Sequence, residues 1–172
     1  MDQLKHYAVE RLAAGADAVA ALARGVSDAQ ARWRPAPDAW SLLEVICHLG
    51  DEEAEDFRTR LGCLLAVPAA PFPSIDPQGW VTARGYNDRD PAAALARFLA
   101  ERQQSLDWLT GLDRPDWEAG VDHPAAGRVT AGGMLAAWVA HDMLHIRQLN
   151  ELHWQHMATW APAMAQDYAG GW

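Results

Sequence analysis

The sequence predicts an all-α protein, a four-helix bundle in a single domain spanning residues 1–172. Three observations carry this. Alanine and leucine dominate the apolar residues, and both favour helix. β-branched residues are sparse, and apolar–polar alternation does not persist long enough to mark a strand. Four long segments repeat apolar residues at helical spacing instead. The composition is globular, 50% hydrophobic and 22% charged, and 172 residues suffice for one sizeable core.

The first helix is expected from Asp2 to about Arg24. Leu4, Ala8, Leu12, Gly15, Val19 and Leu22 form its stripe, and Gly25 stops it. SDAQARWRPAPDAW reads as a connection with one short turn. The second helix starts at a capping box, Ser41 with Glu44, and runs to near Pro68. VPAAPFPSIDPQGW cannot continue as regular helix because of its prolines. WVTARGYN has room for one or two turns.

Asp90 as N-cap and Pro91 as first helical residue open a third helix. Its stripe of Leu95, Phe98, Leu99, Gln103, Leu106 and Leu109 runs to about Thr110, with Gly111 closing it. GLDRPDWEAGVDHPAAGR reads as a loop. Thr130 caps a fourth helix that reaches about Trp154, and a short C-terminal helix is expected within Met157 to Tyr168. The connection between the second and third helices is long, about 20 residues. It could cross the bundle, so the order of neighbouring helices stays open.

The formal charge of −9 disfavours nucleic acid and anionic membranes, which attract basic surfaces. The longest apolar run, GGMLAAWVA, is about half of a membrane span. The N-terminal segment lacks the basic start and apolar core of a signal peptide. Cys47 and Cys63 on one helix would lie about 24 Å apart, too far for a disulfide. Unbridged thiols fit a reducing compartment, so a cytoplasmic location is expected.

The chemistry concentrates in the fourth helix. At about 100° per residue, Met134, Trp138, His141, His145, Gln148 and Leu152 fall in one sector of about 80°. His141 and His145 therefore sit in the middle of a core-facing stripe. A buried neutral imidazole needs partners for both ring nitrogens. A divalent metal answers that need, because imidazoles at i, i+4 can converge on one ion. His48 on the second helix, flanked by Ile46, Cys47 and Leu49, is the expected third ligand. His6, His123, His153 and His156 are poorer candidates, lying at helix ends or in a loop. Three histidines would hold Zn²⁺, Ni²⁺, Mn²⁺ or Fe²⁺ with positions left open for water or substrate. The plainer reading makes all three core residues without a metal.

Other residues have paired readings. Asp142 is a candidate general base, or else a salt-bridge residue supporting the site. Asp51 and Glu52 follow His48 by one turn; they could orient its ring, supply a fourth ligand, or belong to a solvated acidic face. Gln148 bonds either a ligand or a neighbouring helix. Trp138 is the candidate pocket wall among nine tryptophans, most of which are expected to plug the bundle ends.

WSLLEVICHLGDEE, followed about ninety residues later by HDMLHIRQL, resembles the DinB-like (DinB/YfiT) superfamily of metalloenzymes. The matching positions are Trp40, Ser41, His48, His141, His145 and Gln148. The resemblance implies an up-down-down-up bundle and a metal held by the three histidines. It implies a small-molecule substrate, with low-molecular-weight thiols used by some members, and homodimers among relatives. The expected function is metal-dependent thiol transfer or hydrolysis. The alternatives are a non-catalytic metal- or ligand-binding bundle, such as a stress protein, and a purely structural bundle.

Overall fold

The computed structural model describes residues 2–124, 127–161 and 167–169. α1 (Asp2–Ala23) leads through α2 (Asp28–Arg32) to α3 (Leu42–Asp51), which continues as a π-helical segment (Glu52–Phe57) into α4 (Arg58–Leu65). α5 (Pro77–Ala83) and a 3₁₀ turn (Tyr86–Asp88) precede α6 (Pro91–Gly111). Strands β1 (Gly120–His123) and β2 (Gly127–Thr130) lead into α7 (Ala131–Trp160).

The local signals act as their chemistry requires. Gly25 adopts φ +76°, which ends α1. Ser41 accepts from Glu44 N, and the Glu44 carboxylate accepts in turn from Ser41 N at 2.7 Å, completing the capping box. Asp90 accepts from Ala93 N at 2.7 Å, with Pro91 following as the first helical residue.

Packing settles the helix order. Lys5 Nζ donates to Leu112 O, and Arg102 Nη1 donates to Leu12 O, so α1 and α6 run antiparallel. Gly132 lies beside Leu4, while His153 Nε2 donates to Leu22 O, so α1 and α7 run parallel. Gly50 packs on Phe98 and Arg58 reaches Ser105, so the second long helix runs parallel to α6. The order is up-down-down-up.

The core has two apolar clusters. One gathers Leu43, Val45, Ile46, Leu49, Phe98 and Leu149; the other gathers Leu12, Leu61, Leu64, Leu109, Leu135 and Trp138. A polar layer separates them along every long helix. Arg102, 1% exposed, occupies its centre. It donates to Leu12 O on α1, to Glu53 Oε1 at 2.6 Å on the π-helical segment, and to both Asp142 oxygens at 2.7 Å on α7.

Three expectations change. The segment read as a loop before the fourth helix contains an antiparallel hairpin, with Val121 opposite Val129. Gly120 permits the close pairing, since a Cβ there would strike the Val129 carbonyl. The polypeptide just before the hairpin also satisfies the start of α7: Ala131 N donates to Ala119 O and Gly132 N to Trp117 O. The fourth helix extends to Trp160, six residues beyond the expected end. The expected C-terminal helix therefore begins inside α7; residues 162–166 of that stretch lie outside the described residues, and a 3₁₀ turn covers Asp167–Ala169.

Candidate metal centre

The second long helix and α7 run antiparallel, and this brings His48 opposite His141 and His145. Their Nε2 atoms converge. His48 Nε2 lies 3.3 Å from His141 Nε2, which lies 3.1 Å from His145 Nε2. One ring nitrogen from each residue can be chosen so that all lie within 4.8 Å of one another, a grouping that could hold one metal ion. Imidazole nitrogens each about 2.0–2.1 Å from a shared ion stand about 2.9–3.4 Å apart at ordinary ligand angles. The His48–His141 and His141–His145 spacings fall in that range.

The rings are held from behind. His145 Nδ1–H donates to Gln148 Oε1 at 2.8 Å, which leaves the Nε2 lone pair facing the cluster. Among the described residues, His48 Nδ1 has no hydrogen-bond partner, and neither has Glu52 Oε1, which stands 4.0 Å away. Trp40 packs against the His48 ring at 4.9 Å and lies parallel to that of His145 at 6.3 Å. Phe57 meets His141 at 5.0 Å from the other side.

Burial keeps the rings neutral. It is the largest influence on His48 and, with the nearby His145, drives its pKa down to about 3 against the pull of Asp51. Burial and the two neighbouring imidazoles bring His141 to about 3 as well. Burial lowers His145, partly offset by its bond to Gln148. Neutral imidazole is the metal-binding form. Burial, joined by a hydrogen bond and charge from Asp56, raises Glu52 to about 8.

The helix geometry at this site is unusual. His48 and Phe57 are nine residues apart, which in a regular α-helix places them about 180° apart. Both nevertheless contact His141. The π-helical segment between them widens the turn and underwinds the helix, bringing the two to one side. Thr59 Oγ1 donates to Ala54 O at 2.8 Å across this segment.

The histidines form the floor of an open cleft of about 670 Å³. Glu52, Trp40 and Gln148 line it, with Pro77 and Gln78 of α5 contributing to the wall. Other residues singled out in the sequence lie elsewhere. Asp142 turns into the polar layer and pairs with Arg102. Asp51 is buried against Arg84, Arg97 and the Tyr86 hydroxyl. Burial works to raise its pKa, but these three partners outweigh burial and hold the carboxyl below its ordinary value. Trp138 is 1% exposed; its Nε1 donates to Glu53 Oε1 at 2.8 Å and its ring stacks on Phe57. Trp40 forms the aromatic wall instead. Glu53 and Arg102 were not distinguishable in the sequence from the charges around them. Arg102 sits in the polar stretch AERQQS of α6, so nothing around it marked it out.

A family model described as the DinB superfamily matches residues 11–149. No curated protein matches. Among solved structures, the chain is similar to YfiT from Bacillus subtilis, described as a probable metal-dependent hydrolase with an unusual four-helix bundle topology. The two share 20% identity and superpose with a TM-score of 0.75 over 86% of this chain and 85% of YfiT. That likeness concerns the fold, while the family match spans most of the sequence, including all three histidines: the chain belongs to the DinB superfamily.

Proposed function

We propose that the protein is a metal-dependent hydrolase acting on a small molecule, with His48, His141 and His145 holding one divalent cation. The convergence of three imidazole nitrogens on the floor of an open cleft carries this reading. The description of YfiT supports it. Zn²⁺, Ni²⁺, Mn²⁺ and Fe²⁺ all accept such ligands. A bound dication would supply Lewis acidity, lowering the pKa of a water or thiol on it toward neutrality.

The protein's own residues have separate tasks. Gln148 fixes the His145 tautomer. Glu52 stands 4.0 Å from His48 Nδ1 and, lining the cleft with its pKa raised to about 8, is the acidic group placed to exchange a proton with the nucleophile. Asp142 serves as a positioning residue, since its carboxylate is committed to Arg102. Trp40 holds two imidazoles and walls the cleft.

A second reading, transfer of a low-molecular-weight thiol, uses the same site. Neither cysteine lines the cleft, and burial pushes the Cys47 thiol up to about 11. The thiol would have to arrive as a second small molecule. A non-catalytic metal- or ligand-binding bundle is the outcome if no substrate turns over.

Elemental analysis of untagged protein tests the site. The expectation is near one metal per chain in the parent and near zero in His48→Ala, with unchanged helical content. Metal retained by His48→Ala would overturn the three-histidine assignment. Glu52→Gln should keep the metal yet slow ester or amide hydrolysis by about 10²-fold or more. Turnover that requires an added thiol would favour transfer over hydrolysis.

A further inference from the structure

The cleft has a charge character that narrows its substrate. Asp38 and Glu151 are its charged groups, Glu52 being held largely protonated with its pKa raised to about 8, and among the described lining residues none is a lysine or arginine. Arg34 pairs with Glu44, while Arg147 lines an adjoining hollow that shares His145, Gln148 and Glu151 with the cleft. The remaining polar groups are the amides of Gln78, Gln148 and Gln155, the last of which donates to Glu151 Oε1 at 2.5 Å. Among the described residues, the Trp40 indole supplies the one large aromatic face of the cleft. Glu52 is only 4% exposed, and its Oε1 has no hydrogen-bond partner among the described residues.

Sites for carboxylate, phosphate or sulfonate groups ordinarily present an arginine fork, a lysine or a free helix N-terminus. This cleft presents neither cation. The start of α3 is closed by its own capping box, and Asp76 already accepts from Gly79 N at the start of α5. Carboxylates and an aromatic face are what an ammonium group needs, through ion pairing and cation–π attraction.

From this lining we infer that the substrate carries an amine or another cationic group, which lies between Asp38, Glu151 and Trp40 while its reacting bond faces the histidines. This rests on the metal-site reading above and adds the charge of the substrate to it. The cationic tail and the reacting group are recognised separately. The cluster of imidazoles addresses the reacting atoms. The acidic mouth addresses the tail and disfavours anionic analogues of the same size.

The test uses the full chain loaded with zinc and hydroxamates sharing one metal-binding head. Acetohydroxamate measures the head alone. Two longer hydroxamates of equal chain length end in a primary ammonium or a carboxylate. Dissociation constants are measured by calorimetry at physiological salt. The ammonium-tailed compound should bind about tenfold more tightly than the carboxylate-tailed one. The double variant Asp38→Asn with Glu151→Gln should cut that ratio to about threefold or less while leaving acetohydroxamate binding unchanged. Equal binding of the two tails, or preference for the carboxylate, would overturn the inference while leaving the metal site intact. A preference undiminished in the double variant would also overturn it, since the charge would then be read elsewhere. Failure of zinc or acetohydroxamate to bind would sink the metal-site reading, and this inference with it.

Discussion

His141 shows how one side chain carries both the chemistry and a stability cost. Its pKa of about 3 in the folded protein, against an ordinary 6.5, means that the folded state refuses a proton the unfolded chain accepts between those values. Its contribution is intact above about pH 6.5 and is lost as the solution becomes more acid. Glu52 opposes this, because its raised pKa lets the folded state hold a proton that the unfolded chain has released. Comparing the metal-free parent with His141→Asn isolates the histidine. The parent should lose stability relative to the variant by up to about 1 kcal/mol per pH unit below pH 6.5. Urea denaturation at pH 7 and pH 5 measures it, and a pH-independent difference would mean that the ring protonates freely in the folded state. Trp138 and Trp40 teach a related lesson. The helical stripe correctly marks Trp138 as facing inward, but only the packing shows that its indole N–H serves Glu53 and that Trp40 faces the cleft.

Among the elements, the second long helix departs most from its expected form. Its start was legible, because Ser41 and Glu44 signal a capping box through local chemistry alone. Its middle was not, because DEEAED carries no mark of a π-helical segment: the widened turn is favoured by what it buries on both sides. It seats His48 in the site, Glu53 against Arg102, and Phe57 against His141 and Trp138. Regular winding across the nine residues from His48 to Phe57 would instead place the two side chains on opposite sides of the helix. The hairpin escaped notice for a similar reason. Its strands are only four residues each, with the single cross-strand pair Val121 and Val129 as apolar content. Alternation over so short a run gives no signal.

For the whole molecule, the decisive contact is Arg102, which binds a group on each of the other three long helices. Two carboxylates, Glu53 and Asp142, depend on it at 2% and 4% side-chain exposure. Removing a buried ion-pair partner leaves uncompensated charge, at a cost of about 3–5 kcal/mol. Arg102→Met should destabilise the protein by that amount, measured by urea denaturation at pH 7. A loss below about 1 kcal/mol would show that the layer is not a fastening point. Gly15 belongs to the same arrangement, since a Cβ there would overlap the Asp142 carboxylate.

By itself the sequence determined the number and approximate limits of the long helices and the histidines that face inward. Helix caps, prolines and the 3.6-residue repeat are written into neighbouring residues. It also carried the His141–His145 pair, whose spacing is local to one helix. Tertiary structure alone decided that His48 meets this pair, that Glu52 rather than Asp142 lines the cleft, and that Arg102 joins the bundle. Those outcomes depend on helix direction, on a widened turn and on burial between residues as far as ninety positions apart, and no local pattern encodes a partner at that distance.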